Sequence, residues 1–505
     1  MAAELEVEAE KKPAAAPPGS SITRLFRNAT IYGVGQLVIS IISFAADPLL
    51  SHLLTRADFG LLGLTRTTTN LLASGYRLGL DGAVNRMYFD VERDPAGQRR
   101  ALGTVNTFLL VWALLLTAAQ EIFGPAVYAR VFTGVPYSPY GRFVAYALLC
   151  NTLIAVAQTV WGAQERAKKL VGVRIVSALL TNVIMFGLLV LTQLGVMSVY
   201  VAQVVGPTIM LWIHLRFAYR SFGFAFDPAA LKTALAFGLP MVVHLSSHWA
   251  LEAADRLLIE KYLGRDAVGL YTVAYGSTTT LFMVNQSVNG AYAPQFMRAH
   301  GKPGEERFVG RAITLVLLTV SAATLGFVIF APTIVRTLYS ARFAEAAPLT
   351  MVLSLAAPLH AVYLVHVGAL FHASRTRVIP VLTFIAGLAN IGLNVWALPR
   401  YGIVGAAWAT LVSYAILAVL FWAGARGQGL PYEKGRLARL LVVVSIVVAA
   451  AMALDGRFSL PVELGLKVGL ALAAPLLLAA TGFLTSEERA WIANKRGVIA
   501  ARWSS

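Results

Sequence analysis

The segment Asp47-Pro-Leu-Leu-Ser-His-Leu-Leu-Thr-Arg56-Ala-Asp58-Phe-Gly60-Leu61 returns 208 positions later, as Asp255-Arg-Leu-Leu-Ile-Glu-Lys-Tyr-Leu-Gly-Arg265-Asp-Ala-Val-Gly269-Leu270. Each copy closes a long apolar run, and one extra residue in the second copy keeps the remainder in register. Fainter echoes near the same offset pair Asn182 with Asn390, and Leu194-Gly195-Val196 with Tyr401-Gly402-Ile403. Self-similarity at this spacing in apolar segments indicates two similar lobes, and such lobes characteristically enclose a site and rock about it.

Outward from the repeat, the whole 505-residue chain is 57% hydrophobic and 13% charged, with mean hydropathy +0.68. Soluble domains carry roughly 25% charged residues, so most of this chain belongs in lipid. A ruler of about 20 apolar residues per crossing gives about fourteen helical spans, near 30–54, 58–80, 102–124, 142–163, 170–192, 196–218, 235–261, 267–296, 308–335, 347–372, 378–398, 402–424, 438–454 and 461–484. The second, seventh and tenth are the most polar. No segment alternates as a barrel strand would, and open sheet edges cannot be satisfied in hydrocarbon. The expected fold is therefore all-α and polytopic, with two parallel-repeat six-helix lobes around a central cleft and two further C-terminal helices. The expected divisions are a disordered tail over 1–25, an N-lobe over 26–220, a C-lobe over 221–428, helices thirteen and fourteen over 429–485, and a second tail over 486–505.

The formal charge of +17 would suggest nucleic acid in a soluble protein. Here the basic residues gather in short loops. With the N-terminus inside, the inner segments hold about 28 of the 42 Lys and Arg and the outer turns about ten, as the positive-inside rule requires. Both termini are then expected on the cytoplasmic side, with no nucleic-acid partner. The first 21 residues are acidic and then rich in Ala and Pro, without the apolar core of a signal peptide. A single cysteine, Cys150, forbids a disulfide framework and reads as a packing residue.

Polar side chains within spans locate an internal cavity, because they are costly against lipid. In span one, Gln36, Ser40, Ser43 and Asp47 share a face. In span two, Arg66, Asn70, Arg77 and Asp81 fall within about 60° of one another on a helical wheel. Asp47 and Arg66 lie at similar depth and could pair, either to build a site or only to fix the helix contact. Span seven lines up His244, His248, Glu252 and Asp255, with Arg256 beside them. Two histidines one turn apart can supply two metal ligands, but no third is predictable, so no metal or other cofactor is expected. A titratable relay facing water is the stronger reading, against Asp255 and Arg256 merely being solvated near an interface. Span eight carries Tyr271, Tyr275, Thr278, Asn285, Asn289 and Tyr292 at helical spacing, suited either to sugar contacts or to helix packing. Arg174 and Lys467 read as snorkelling side chains, and His360 and His366 as isolated structural histidines.

The turn Leu53-Leu-Thr-Arg-Ala-Asp-Phe-Gly-Leu-Leu62, the run from Phe237-Gly-Leu-Pro through Ala254-Asp255 to Tyr275, and Asn390 through Pro399-Arg-Tyr-Gly402 to Thr410 resemble the polysaccharide transporter family. That family holds the Wzx-type oligosaccharide flippases and belongs to the superfamily containing the MATE exporters and MurJ-type lipid II flippases. The resemblance implies a non-enzymatic transporter that moves undecaprenyl-pyrophosphate-linked oligosaccharide from the inner to the outer leaflet of a bacterial inner membrane. It also implies alternating access, a cationic cleft, contact with membrane lipids, and a polysaccharide polymerase and chain-length proteins as further partners. Arg66 and Arg77 suit the cationic role, with Asn70, Asp47, Arg256, Tyr271, Tyr275, Asn285 and Asn289 as other substrate contacts and His244, His248, Glu252 and Asp255 as ion-coupling candidates. A MATE-type cation antiporter, a lipid II flippase and, more distantly, a membrane glycosyltransferase or polymerase are the competing readings. The first would want an acidic cleft, and the last would need larger outer loops. No GxxxxGK[ST] phosphate loop is present.

Overall fold

The computed structural model describes residues 18–90 and 94–489, apart from the side chains of 18–30, Ser43, Val243 and His244. Residues 1–17 and 490–505, where most of the two expected tails falls, lie outside the described residues. The described chain is helical throughout: α1 (Pro18–Leu53), α2 (Arg56–Arg77), α3 (Leu80–Asp90), α4 (Pro95–Arg130), α5 (Arg142–Ala163), α6 (Ala167–Leu191), α7 (Met197–Ser221), α8 (Pro228–Glu252), α9 (Ala254–Leu263), α10 (Arg265–Ala299), α11 (Glu306–Leu338), α12 (Ala347–Ser354), α13 (Ala356–His372), α14 (Val378–Gly424), α15 (Lys434–Leu454) and α16 (Leu460–Ala480).

Among the described residues, eleven helical stretches are long and apolar enough to cross a membrane. One of these, α14, holds two spans. Gly402 has φ 59° and ψ −147°, and a Cβ on Gly405 would lie 2.7 Å from the Ala397 carbonyl oxygen. In a straight helix those positions are about 12 Å apart, so the chain turns back on itself there. The other two of the fourteen expected spans are α2 and α10, which are helical and long but too polar to qualify by composition. Span eight thus joins span two as the polar member, whereas spans seven and ten qualify.

The two copies of the repeat begin their second helix differently. In the first, Thr55 caps α2 through a reciprocal box: its Oγ accepts from Asp58 N–H at 3.2 Å, and Asp58 Oδ2 accepts from Thr55 N–H at 2.9 Å. In the second, the extra residue is Gly264 at φ 82°, ψ 177°, a region that only glycine enters cheaply, and α10 starts after it. Gly60 and Gly269 then pack against each other's helix starts. A Cβ on Gly60 would stand 2.0 Å from the Arg265 carbonyl oxygen, and one on Gly269 2.1 Å from that of Arg56. Small residues are what allow membrane helices to approach this closely.

The residues fall into two compact units. Unit 1 comprises 1–46, 79–117 and 145–238. Within it, Gly35 of α1 packs on Val171 of α6, and Asp227 starts α8 by accepting from the N–H groups of Ala229 and Ala230 while its own N–H reaches Thr104 Oγ1 at 2.9 Å. Unit 2 comprises 47–78, 118–144 and 239–505. Its core sets Phe296, Tyr363, Leu370, Tyr414 and Phe421 together. A second cluster joins α11 to α15 through Val328, Ile329, Val443, Val447 and Ala451.

Candidate functional site

All the side chains singled out for transport belong to unit 2. Arg66 is at the midpoint of α2, ten residues from one end and eleven from the other, so about 15 Å of helix lies on either side. Its side chain is 48% exposed and its Nη2 stands 3.4 Å from Asp47 Oδ1, which makes the pair expected from the sequence. Asn70, one turn on, is also exposed, and Arg77 is half-buried at the helix end. The opposite face of α2 is buried through Leu61, Leu64 and Thr68. Asp81 does not share this face. Leu78 adopts the left-handed conformation, its N–H closes on Ser74 O at 2.9 Å, and Gly79 follows at φ 66°, so the helix stops and Asp81 falls in the first turn of α3.

Span seven is likewise interrupted. Ala253, at φ −137° and ψ −17°, separates α8 from α9, and the expected continuous string becomes two groups. In one, His248 Nδ1 lies 3.2 Å from Glu252 Oε2, and Tyr414 O–H approaches Glu252 Oε1 at 3.5 Å. In the other, Asp255 is fully buried (0% exposed) and accepts from Tyr271 O–H at 2.5 Å and Thr410 O–H at 3.4 Å, with Arg256 Nη1 at 3.3 Å. Arg256 also donates to the Glu252 carbonyl at 2.9 Å and lies over the Tyr275 ring, 4.4 Å from its centre. Neither Asp255 nor Arg256 is simply solvated. The side chain of His244 lies outside the described residues. Among the described residues no three His, Cys, Asp or Glu side chains gather as metal ligands.

The polar stripe of α10 is largely directed at protein. Tyr271 is held by Asp255 and Thr410. Asn285 donates to Ala357 O at 2.9 Å and lies 3.1 Å from His360 Nδ1. Thr278 and Tyr292 are buried, and Asn289 is half-buried. His360 is therefore not isolated. Nor is His366, whose Nδ1–H donates to Val362 O and whose Nε2 accepts from Tyr432 O–H, each at 2.6 Å. Sequence reasoning missed Thr410 and Tyr414, the α14 residues that complete the two carboxylate environments. Thr410 stood inside a quoted motif, but nothing in the spacing tied it to a residue 155 positions away.

A family model described as polysaccharide biosynthesis protein matches residues 49–348, more than half of the chain. The chain belongs to that family. It is similar to the Lsg locus putative protein 1 of Haemophilus influenzae, 22% identical over 282 residues that make up 55% of this chain and 67% of the relative. It is also similar to the probable low-salt glycan biosynthesis flippase Agl15 of Haloferax volcanii, 27% identical over 169 residues, 33% of this chain and 36% of that one. In fold, this family member is similar to an inward closed conformation of the lipid II flippase MurJ, with TM-score 0.72, 12% identity and coverage of 90% of this chain and 99% of that one. It is also similar to an inward-facing MATE-family multidrug resistance transporter of the MOP superfamily, with TM-score 0.63, 15% identity and coverage of 77% and 94%.

Proposed function

We propose that this family member is a flippase that carries a diphosphate-linked oligosaccharide on a polyprenyl lipid from the inner to the outer leaflet, by exposing the Arg66 face of α2 alternately to the two sides. The family and the flippase among its curated relatives support the substrate class. The observation that carries the reading is Arg66 itself, a half-exposed guanidinium in the middle of a membrane-length helix. Such a group against hydrocarbon is strongly disfavoured, so it faces water or an anionic headgroup. A diphosphate cannot cross apolar chains without partners, and a guanidinium offers it paired, forked hydrogen bonds. Arg77 and Asn70 extend the same polar face, while the lipid tail stays in the bilayer.

A cation antiporter of the MATE type shares the fold but would want carboxylates open to water. Asp255 is sealed by Tyr271, and Glu252 is engaged by His248, which favours the anionic cargo. Coupling to an ion gradient would fall to His248 and Glu252, the titratable pair. In this proposal the protein sits in a bacterial inner membrane with both termini on the cytoplasmic side, which the excess of Lys and Arg in the inner segments supports, and a polymerase and its chain-length partners act on the exported unit. Deleting the gene and measuring which lipid-linked glycan accumulates on the cytoplasmic leaflet tests the reading. Restoration of export by the wild-type gene and failure of Arg66→Gln to restore it are expected. Full restoration by Arg66→Gln together with Arg77→Gln would overturn it.

A further inference from the structure

Unit 1 carries an intramembrane arginine that the reading above does not use. We propose that Arg174, positioned by Gln158 and His214, is a binding subsite for the phosphates of the same class of lipid-linked diphosphate. This inference rests on the transport reading.

Three helices contribute at one level. Gln158 lies five residues before the end of α5, Arg174 seven residues after the start of α6, and His214 seven residues before the end of α7. At 1.5 Å per residue, all three lie about 7–11 Å from the α5, α6 and α7 ends nearest them. Arg174 Nε–H donates to Gln158 Oε1 at 2.9 Å. That bond fixes the amide, so Gln158 Nε2 faces His214 Nε2 across a longer 3.5 Å contact. His214 Nδ1–H donates to Met210 O at 2.8 Å, which leaves Nε2 as an acceptor and makes the chain of donors self-consistent. The imidazole is buried and held against Trp161, with ring centres 5.0 Å apart. The supporting groups are thus locked by packing, while the arginine they hold is exposed.

An arginine that merely snorkels would send its head back along α6 toward Lys168 and Lys169, in the direction helical side chains already lean. Here Nε is instead bonded to Gln158 on a different helix, below the end of α5. Bonding at Nε sets the plane of the guanidinium, and a planar donor of fixed orientation is what recognises phosphate oxygens. Arg174 is therefore built to meet an anion within the membrane rather than at its surface.

Full-length protein in phosphatidylcholine nanodiscs, titrated with undecaprenyl diphosphate or with phosphatidylglycerol, tests the proposal. Arg174→Gln should weaken diphosphate binding by about tenfold or more while changing phosphatidylglycerol binding less than about twofold. Arg174→Lys keeps the charge but loses the planar donor and should retain only part of the affinity. Gln158→Leu should weaken binding too, and in its background Arg174→Lys should cost little more, a coupling that a purely structural role would not produce. Arg174→Met carries the same expectation as Arg174→Gln should the latter lose its thermal transition. Unchanged diphosphate binding in the Arg174 variants, with binding weakened in Arg66→Gln, would overturn the subsite and leave the transport reading standing. Equal losses for both lipids would make Arg174 a general phospholipid anchor and overturn the subsite as well. Failure of the wild type to bind the diphosphate lipid would remove both.

Discussion

Gly60 and Gly269 occupy equivalent positions in the two repeat copies, and each turns a bare Cα onto the carbonyl that opens the other copy's helix, Arg265 O for Gly60 and Arg56 O for Gly269. The relation is reciprocal, as it would be across an approximate two-fold axis, and the same short motif makes both sides of the contact. Around it, Trp249 Nε1–H donates to Thr67 O at 2.8 Å and Thr133 O–H to Glu260 Oε2 at 3.0 Å. The obstructing atoms are backbone, which cannot swing aside. Gly60→Ala or Gly269→Ala should therefore force α2 and α10 apart and destabilise the protein by about 1–3 kcal/mol, the usual cost of overpacking. The double variant should lose less than the sum, because one separation relieves both clashes. Thermal unfolding in detergent measures this, with Gly33→Ala, where a Cβ meets no atom within 4 Å, as the control.

The pair Asp47–Arg66 separates a structural role from a transport role. If the pair only fixed the contact between α1 and α2, neutralising either member would have similar effects. If Arg66 binds diphosphate, the carboxylate competes with the cargo for the guanidinium. Asp47→Asn should then leave diphosphate binding intact or tighter, whereas Arg66→Gln should weaken it by about tenfold or more, since charge-assisted bonds to phosphate are the strong ones. Isothermal titration with undecaprenyl diphosphate decides between them. Equal losses from the two substitutions would assign the pair to helix contact alone.

The carboxylate of the second copy has a different neighbourhood, and Tyr271 is its closest donor. Arg66 of the first copy corresponds, by the repeat offset, to Tyr275, which instead supports Arg256 through its ring face. At this mid-helix position the first copy presents a cation and the second an aromatic ring. Tyr271→Phe keeps the ring and removes the O–H that Asp255 accepts from, leaving a buried carboxylate short of a donor, at a cost of about 1–3 kcal/mol. Chemical denaturation should register this as a lower midpoint. Tyr262→Phe, at a partly exposed ring, should change little.

Much of this was legible along the chain. Apolar run lengths locate the spans, and the repeat joins α2 to α10 before any contact is known. The arginines of α2 stand out because a charged residue in a membrane helix has few innocent explanations. The breaks at Leu78 and Ala253 were not legible in the same way. Gly79 hints at the first, but the polar spacing runs through it. Ala253 is an ordinary helix former, and its non-helical backbone answers to tertiary demands: Trp249 bonded to α2 on one side and Asp255 buried against α14 on the other. Those partners are distant in sequence, so a face drawn on an unbroken helical wheel merged two environments. Lys467 was misread for a different reason. A lone lysine near a span end suggests snorkelling, whereas its carboxylate partners lie four and twelve residues earlier.

Lys467 is in fact 0% exposed, with Nζ 2.7 Å from Glu463 Oε1, 2.9 Å from Asp455 Oδ1 and 2.7 Å from Thr333 Oγ1. Arg336 of α11 completes the cluster through two bonds to Asp455, at 2.9 and 2.6 Å, and so ties the turn between α15 and α16 to α11. Two cations meet two carboxylates, and removing one leaves an unbalanced buried charge. Lys467→Met should destabilise by about 3–5 kcal/mol. Asp455, in the turn between α15 and α16, also gives the cluster a pH signature. Burial alone would raise its carboxyl, but the hydrogen bonds and charges of Arg336 and Lys467 outweigh burial and hold it below the usual carboxylate range. A carboxyl depressed on folding contributes stability that is complete above its unfolded value, about 3.9, and is lost as pH falls through the lower native one. The melting temperature of the wild type should therefore fall on acidification below about pH 4. Asp455→Asn should melt lower at neutral pH yet show a shallower acid limb, and an acid limb as steep as the wild type's would show that Asp455 is not its source.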